Sequence, residues 1–191
     1  VSTIAGNGTE GTAGNGGAAT SAELRVHRLA VGPPSSGTEA RVHLLDKVGN
    51  NVRSFVVGGN IVSSAGVLGQ AGYAGDNASA AAALLNAPND IAASGNGYVY
   101  VADTNNRRVR RIDLTATGTA PAVTTIAGTG ALGTAGNGGP AVEATLQGLL
   151  GIALAADGDL LLPDGVARAV RRIDLGSGVI REELASVGAH D

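Results

Sequence analysis

The chain has 191 residues, of which 31 are Gly, while Phe, Trp and Tyr together make up only 2%. Its core must therefore be aliphatic and its backbone must turn often. A formal net charge of −3 gives no reason to expect a nucleic-acid or membrane-surface partner. The absence of Cys excludes disulfides and thiolate metal sites, and no apolar run reaches the roughly 18 residues of a membrane span. Because Met is absent throughout, we expect a processed product or, preferably, an excerpt from a longer protein.

In chain order, short apolar runs separated by Gly, Asn and Asp predict β-strands joined by turns. The first run, at 1–5, predicts an outer strand, and 42–55 predicts a hairpin. The second unit predicts four strands, at 90–94, 98–102, 109–112 and 123–127. The third unit repeats this pattern at 150–154, 160–162, 170–173 and 179–185. The units are joined by connectors rich in Gly, Asn and Ala, in which 77–85 predicts at most one helical turn.

Several columns of the sequence recur at one period, which indicates an internal repeat. In three copies an Asp closes the second strand and stands six residues before the Val of the third strand: Asp46 and Val52, Asp103 and Val109, Asp164 and Val170. The segment 3–6 also matches 125–128, and 14–17 matches 136–139. These matches predict a single repeat array with approximate units at 1–62, 63–124 and 125–191.

The run at 99–103, followed by Asn-Arg-Arg-Val-Arg-Arg-Ile at 106–112, resembles the NHL repeat, as does 125–128 leading through 138–141 to Leu146. The resemblance is to the long bacterial variant, and it is looser in the first unit, where 31–37 replaces the usual turn. It implies a β-propeller, typically of six blades, used mainly as an interaction scaffold. The predicted fold class is therefore all-β, with propeller blades of four antiparallel strands. About three blades are expected, as half of a six-bladed ring or as an open or dimerising arc.

The turn between the second and third strands is where we expect residues to face a ligand, because loops on a rigid scaffold often carry binding. The Asp that closes the second strand has an alternative role, since its carboxylate also accepts backbone N–H groups within a turn. No catalytic, cofactor-binding or metal-ligating residue is predicted. The candidate ligand-facing residues are Asp46, Asp103, Asn105, Asn106, Arg107, Arg110, Asp164, Arg168 and Arg171.

Arg side chains alternate along the third strand, so Arg110 and Arg171 share one face while Arg111 and Arg172 share the other. One such set predicts an electropositive stripe for anions, acidic proteins or RNA. The alternative is a solvated strand face on which each Arg pairs with the Asp that ends the strand. The scarcity of aromatic residues argues against single-stranded RNA, which binds by stacking.

No cofactor is expected, although three patterns in the sequence resemble parts of cofactor or metal sites. G-x-G-x-x-G occurs at 6–11 and 128–133, but at one repeat position and without the following helix of a dinucleotide site, which indicates a linker. The three His residues, His27, His43 and His190, show no short ligand spacing for zinc. The oxygen-rich turns at 76–77 and 157–159 leave calcium as a minor alternative, without the spacing of an EF-hand.

The leading hypothesis for function is a noncatalytic scaffold that binds a protein, peptide or glycan through loops on one face. No Ser, His and Asp constellation of recognisable spacing supports nucleophilic catalysis. Two alternatives stay open: a Ca²⁺- or Zn²⁺-assisted lyase or lactonase-like propeller enzyme, and a structural repeat segment of a large secreted protein. The resemblance further suggests a bacterial protein that is secreted, at the cell surface or periplasmic. It also suggests a homodimer that closes a six-bladed ring.

Overall fold

The computed structural model describes residues 1–32, 40–115, 121–166 and 168–185, which form three antiparallel sheets. Blade 1 consists of β1 (Arg28–Gly32), β2 (Arg41–Asp46), β3 (Asn51–Val56) and β4 (Val62–Ala65). The two-residue strand β5 (Ala78–Ser79) joins the outer edge of blade 2, which consists of β6 (Asp90–Ala93), β7 (Tyr98–Asp103), β8 (Arg108–Asp113) and β9 (Ala122–Ala127). Blade 3 consists of β10 (Ala153–Leu154), β11 (Leu160–Asp164), β12 (Ala169–Ile173) and β13 (Ile180–Ala185). The prediction of an all-β chain with four-stranded antiparallel blades is confirmed.

Helical structure in the described part of the chain is limited to single 3₁₀ turns. Two of them, Ala80–Ala82 and Ala141–Glu143, lie in the connectors that lead to blades 2 and 3, and Ala19–Ser21 holds the same place before blade 1. The single helical turn expected within 77–85 is therefore present. Across the described ranges, no helix is long and apolar enough to cross a membrane.

Blade 2 shows how the sequence forms these sheets. Its second strand pairs in register with β8, from Tyr98 opposite Asp113 to Asp103 opposite Arg108. The alternating Tyr and Val side chains of this strand favour a pleated surface that is buried on at least one face. In every blade the register shifts between the third and fourth strands at the repeated Val-Arg pair, that is at Val52/Arg53, Val109/Arg110 and Val170/Arg171. Such a bulge changes the direction of the neighbouring side chain.

The turn between the second and third strands also repeats its backbone conformation. Asn50, Arg107 and Arg168 each stand two residues before the repeated Val, with φ angles of 55°, 52° and 53°. This left-handed conformation costs a non-glycine residue roughly 1 kcal/mol. Contacts with the rest of the chain must therefore hold the three turns.

The hydrophobic core lies mainly between neighbouring blades. Leu45 of blade 1 shares one buried cluster with Ile91 and Val101 of blade 2. Ala102 of blade 2 shares the next cluster with Ile152 of blade 3. The first strand of blade 2 contacts the first strands of both other blades, so blade 2 lies between them.

The two ends of the array differ from its interior in exposure. Leu29 in β1 is 59% exposed, whereas Ile91 and Ile152, at the equivalent positions of the next two blades, are 5% and 6% exposed. At the other end Pro163 is exposed where blade 1 has the fully buried Leu45. The array thus presents one uncovered half of an inter-blade interface at each end.

The structure corrects two details of the predicted strands. The strand expected at 1–5 is absent, because these residues pair with no strand of the described structure. The first strand of blade 3 is limited to Ala153–Leu154, and the Ile152 N–H just before it donates to the carboxylate of Asp90. Residues 33–37 of the irregular turn expected at 31–37 lie outside the described residues.

Candidate functional site

A buried Arg joins every connector to the blade that follows it. The Arg110 guanidinium donates to the carbonyl oxygens of Ala74 and Leu84, at 3.1 and 3.2 Å. Arg is suited to joining two segments of the chain, because the N–H groups of its planar guanidinium can donate to two acceptors at once. The acceptors are repeated in the other blades: Ala13 and Glu23 for Arg53, at 3.1 and 2.7 Å, and Ala135 and Thr145 for Arg171, at 3.0 and 2.8 Å. We call each such set an arginine clamp.

The Asp that closes each second strand lies beside its arginine clamp. Asp103 accepts hydrogen bonds from the Asn86 N–H at 2.8 Å and from Arg110 at 3.3 Å. Burial raises the pKa of Asp103, and its hydrogen bonds and the Arg110 cation act in the opposite direction. In blade 3, Asp164 lies 3.8 Å from the Arg171 guanidinium, whereas in blade 1 Asp46 accepts the Gly49 N–H of its own turn at 2.7 Å.

Five of the predicted ligand-facing residues are therefore buried against the chain itself: Asp46, Asp103, Arg110, Asp164 and Arg171. This corrects the expectation that the Arg110 and Arg171 face is either an electropositive stripe or solvated. The physical reason lies in the connectors, whose turn-rich backbone presents carbonyl groups that need internal donors once they are buried. Alternation along the strand predicts which face of the sheet each Arg side chain occupies, but it does not predict that connector carbonyl groups cover that face.

The other four candidates lie at the turn end of the blades with more exposure. Asn105 and Arg168 are exposed, whereas Asn106 and Arg107 are half-buried. Asn106 donates to the Gly72 carbonyl at 2.6 Å, and Arg107 donates to a connector carbonyl at 3.2 Å. Among the predicted ligand-facing residues, Asn105 and Arg168 are therefore the most accessible to a binding partner.

An open groove lies between blades 2 and 3 at the opposite end of the strands, with a volume of about 550 Å³. Its walls are the first hairpin turns of the two blades, at 94–96 and 157–159, and the side chains of Tyr98, Tyr100 and Arg111. This volume is in the range of ligand-binding clefts. We call it the inter-blade groove. None of its residues was among the predicted ligand-facing residues.

Arg111 and Arg172 occupy equivalent positions in blades 2 and 3 but have different partners. Arg172 binds the carboxylates of Asp157 and Asp159, the latter at 2.8 Å from Nε, and a third carboxylate from β13 at 3.3 Å. Arg111 makes no hydrogen bond or ion pair with any described residue, and its Nε atom is buried without a partner. Its guanidinium lies over the Tyr98 ring, 4.8 Å from the ring centre.

The difference between these two Arg residues follows from the hairpin turns. Asn96 and Tyr98 in blade 2 stand where blade 3 has Asp157 and Asp159. Blade 2 therefore lacks both carboxylates that bind Arg172 in blade 3. The sequence contains this signal, but it becomes visible only when the turns of the two blades are aligned.

Blade 1 carries an uncharged cluster in the same place, with Ser54 at the position of Arg111. His43 Nδ1 lies 2.8 Å from Ser54 Oγ, and the Ser64 hydroxyl lies 2.7 Å from the same oxygen. Burial lowers the pKa of His43 to about 4, with a smaller effect from the Arg41 cation. The adjacent cavity holds about 10 Å³, enough for one water molecule, so this cluster offers no room for a substrate.

In the described ranges, no group of three or more His, Asp or Glu side chains is arranged to hold a metal ion. The carboxylates of the oxygen-rich turns at 76–77 and 157–159 have other contacts. Asp157 and Asp159 bind Arg172, and Asp76 binds Arg110 and accepts a hydrogen bond from Thr125.

Comparison with solved structures supports the propeller fold. A structural-genomics protein of unknown function from Bacteroides thetaiotaomicron superposes with a TM-score of 0.58 at 19% identity, over 75% of this chain and 32% of its own. A catalytically inactive virginiamycin B lyase from Staphylococcus aureus with quinupristin gives a TM-score of 0.49 at 18% identity, over 88% of this chain and 45% of its own. The chain thus spans less than half the length of either structure. No family model and no curated protein matches the sequence. Together with the three sheets, the first of these likenesses defines the chain as a protein of β-propeller fold.

Proposed function

We propose that the chain is a noncatalytic propeller scaffold of the NHL type, which binds a protein, peptide or glycan through the turns on one face. The inter-blade groove is the observation that carries this proposal. It combines a volume of about 550 Å³ with two Tyr side chains and several turn residues. Tyr and Arg side chains are enriched where proteins bind partners, because they combine apolar area with polar groups.

The groove is a better candidate than the turns at the other end of the strands. There, the Asp103 carboxylate and both Nη atoms of Arg110 make hydrogen bonds within the chain, only Arg110 Nε lacks a partner, and neither side chain has exposed surface. A side chain with such internal bonds loses them if it binds a ligand, whereas Arg111 in the groove loses none.

The NHL assignment is supported by the recurrence of the Asp and the Val six residues apart in all three blades. The arginine clamp gives that spacing a physical meaning, because it sets the Asp of one strand beside the Arg of the next. Since the clamps recur in every blade, they account for the repeat without any ligand.

The proposal is tested by selection of binders from a displayed random peptide library and a glycan array on the purified chain. Tyr98→Ala removes an aromatic wall of the groove, and Arg168→Ala removes an exposed side chain at the opposite end of the strands. We expect the selected ligands to lose roughly tenfold in affinity with Tyr98→Ala, since one buried aromatic contact contributes of the order of 1–2 kcal/mol. Arg168→Ala is expected to leave affinity unchanged.

Two results would contradict the proposal. One is a set of binders that depends on Arg168 and ignores Tyr98, which would place recognition at the opposite turns. The other is saturable turnover of an ester or lactone that persists in the purified chain and is lost in a groove variant, which would favour the lyase or lactonase-like alternative.

We also propose that a second copy is among the partners of the isolated chain. The exposed Leu29 at one end and the exposed Pro163 at the other stand where blade 2 has buried residues at both interfaces. A second copy supplies the missing half of each interface, and two copies of three blades make a ring of six.

A further inference from the structure

The inter-blade groove contains a cation, Arg111, that makes no ion pair with any described residue. Arg111 lines the groove, and its Nε atom is buried without a hydrogen-bond partner. The Tyr98 ring under the guanidinium attracts its charge but accepts no conventional hydrogen bond from it. A hydrogen-bond donor that is buried without a partner has lost its bonds to water, which costs free energy. A ligand that supplies an acceptor removes this cost.

Blade 3 shows which chemical group satisfies this Arg in the repeat. Arg172 stands at the equivalent position, and carboxylates of Asp157 and Asp159 bind it. Blade 2 has Asn96 and Tyr98 at those two positions. The repeat therefore provides an internal template, in which the acceptor for this guanidinium is a carboxylate reaching it from the first hairpin turn.

The two Asp residues in the groove do not compensate Arg111. Asp157 and Asp159 line the groove, but both bind Arg172. The Asp159 N–H and the Arg172 cation also hold the pKa of the Asp157 carboxyl below its usual range, so Asp157 stays ionised in that pair. Hydrogen bonds from Thr115 and, to a smaller extent, the Arg111 cation lower the pKa of Asp113, but Arg111 makes no hydrogen bond or ion pair with any described residue.

The remaining wall of the groove suits a polypeptide. Gly95, Gly158 and Gly176 line it, so part of its surface is bare backbone at the turns. The Gly158 and Gly176 N–H groups donate within their own turns, so these glycines give the groove a wall without side chains that the main chain of an extended segment can approach closely. The Ser94 and Asn96 side chains add polar groups at one rim.

We propose that Arg111 is the specificity-determining residue of the groove and binds an acidic side chain of a peptide segment. The guanidinium engages the carboxylate in the place that Asp157 and Asp159 take at Arg172. The cation–π contact with the Tyr98 ring stabilises the position of the guanidinium. This inference rests on the proposed binding function of the groove and names the chemistry of its ligand.

The test uses fluorescence anisotropy with a labelled oligo-glutamate peptide, and with an oligo-glutamine peptide of equal length. We expect saturable binding of the first and not the second. Arg111→Gln is expected to weaken binding about tenfold or more, since a charge-assisted hydrogen bond is worth about 1.5–3 kcal/mol. Arg168→Gln removes the same charge outside the groove and is expected to leave affinity unchanged.

A second variant keeps the test independent of any effect of Arg111→Gln on folding. Asn96→Asp introduces a carboxylate in blade 2 at the position equivalent to Asp157 of blade 3. We expect this carboxylate to pair with Arg111 and to compete with the peptide. It should lower affinity for oligo-glutamate about tenfold or more while the melting temperature stays the same or rises, because no buried contact is removed.

The inference is overturned if oligo-glutamate binding ignores both Arg111→Gln and Asn96→Asp, or if Arg168→Gln weakens it equally. Stronger, Arg111-dependent binding of an oligo-uronate than of oligo-glutamate would also overturn it in favour of an acidic glycan. Neutral peptides that bind the groove independently of Arg111 would contradict this inference and leave the scaffold function standing. Failure of every peptide and glycan to bind would contradict both.

Discussion

At the scale of single residues, Arg110 makes more polar contacts than its position on a strand suggests. Its side chain has no exposed surface, donates to the carbonyl oxygens of Ala74 and Leu84, and lies within 3.0 Å of Asp76 and 3.3 Å of Asp103. Asp103 is equally buried, so each charge depends on the other.

Arg110→Ala is expected to lower the free energy of unfolding by about 3–5 kcal/mol, because it leaves the buried Asp103 charge without its cation and removes the Arg donor to two connector carbonyl groups. Urea denaturation followed by circular dichroism measures the change. Arg168→Ala, at an exposed position two residues before the repeated Val of blade 3, serves as the control and should change stability little. Equal effects of the two substitutions would contradict the structural role of the arginine clamp.

His43 gives the fold a pH dependence with a defined sign. Its pKa is lowered from 6.5 to about 4 in the folded chain, mainly by burial. Below pH 6.5 the unfolded chain therefore binds the proton more readily, and stability is lost as the pH falls from 6.5 towards 4. This shift corresponds to a loss of up to about 3 kcal/mol.

The measurement is urea denaturation at pH 7 and pH 4.5 on the wild type and on His43→Leu. Leu is chosen because blade 3 has Leu161 at the position equivalent to His43. The wild type should lose more stability than the variant between the two pH values. Carboxylates titrate in both proteins, so the difference isolates His43. Parallel losses would show that His43 is not held neutral by the fold.

The sequence predicts some of these residue roles better than others. Asp46 accepts the Gly49 N–H, which is the turn contact that an Asp after a strand is expected to make. The role of Arg110 was not predictable from strand periodicity, because periodicity gives the face of a side chain and not what covers that face. That Arg111 lacks an ion-pair partner was also not predictable, because its neighbours on β7 are set by the register between β7 and β8.

At the scale of elements, the connectors depend on close contact between a Gly and an Ala. Gly136 has a φ of 100°, and a Cβ atom built on it would lie 2.7 Å from the Ala144 Cα atom. Gly75 makes the same approach to Ala83 before blade 2, also at 2.7 Å. These glycines permit both the left-handed backbone and the contact, which explains why Gly-rich segments recur at one repeat position.

Gly136→Ala is expected to destabilise the chain by about 1–3 kcal/mol more than Gly138→Ala. Both positions have positive φ, but a Cβ atom on Gly138 meets nothing within 4 Å. The comparison therefore separates steric overlap from backbone strain, and thermal denaturation measures it. Equal destabilisation would show that the connector does not need the close contact.

Elements that pair with a neighbour along the chain were predictable, and those that need an outside partner were not. The strand expected at 98–102 is found at Tyr98–Asp103, because a hairpin carries its own partner. The segment 1–5 has the same pattern as β9 but forms no strand, because pairing and not composition makes a strand.

At the scale of the whole molecule, the two uncovered faces predict self-association of the isolated chain. Light scattering should give about twice the chain mass of 18.6 kDa. Leu29→Glu should return the mass to that of a monomer, because it places a charge where Ile91 and Ile152 are buried in the other blades. Val57→Glu, at an exposed position on a turn of blade 1, is the control and should stay associated. A wild-type monomer at every concentration would contradict ring closure by a second copy.

We expect ligands to bind the inter-blade groove and not the turns that close the second strands. Backbone amide NMR on the labelled chain, titrated with oligo-glutamate, tests it most directly. We expect chemical-shift changes that cluster at 94–100, at Arg111 and at 157–159, and that saturate at a common affinity. Changes confined to Asn105, Arg107 and Arg168 would place the ligand at the opposite end of the strands and contradict it.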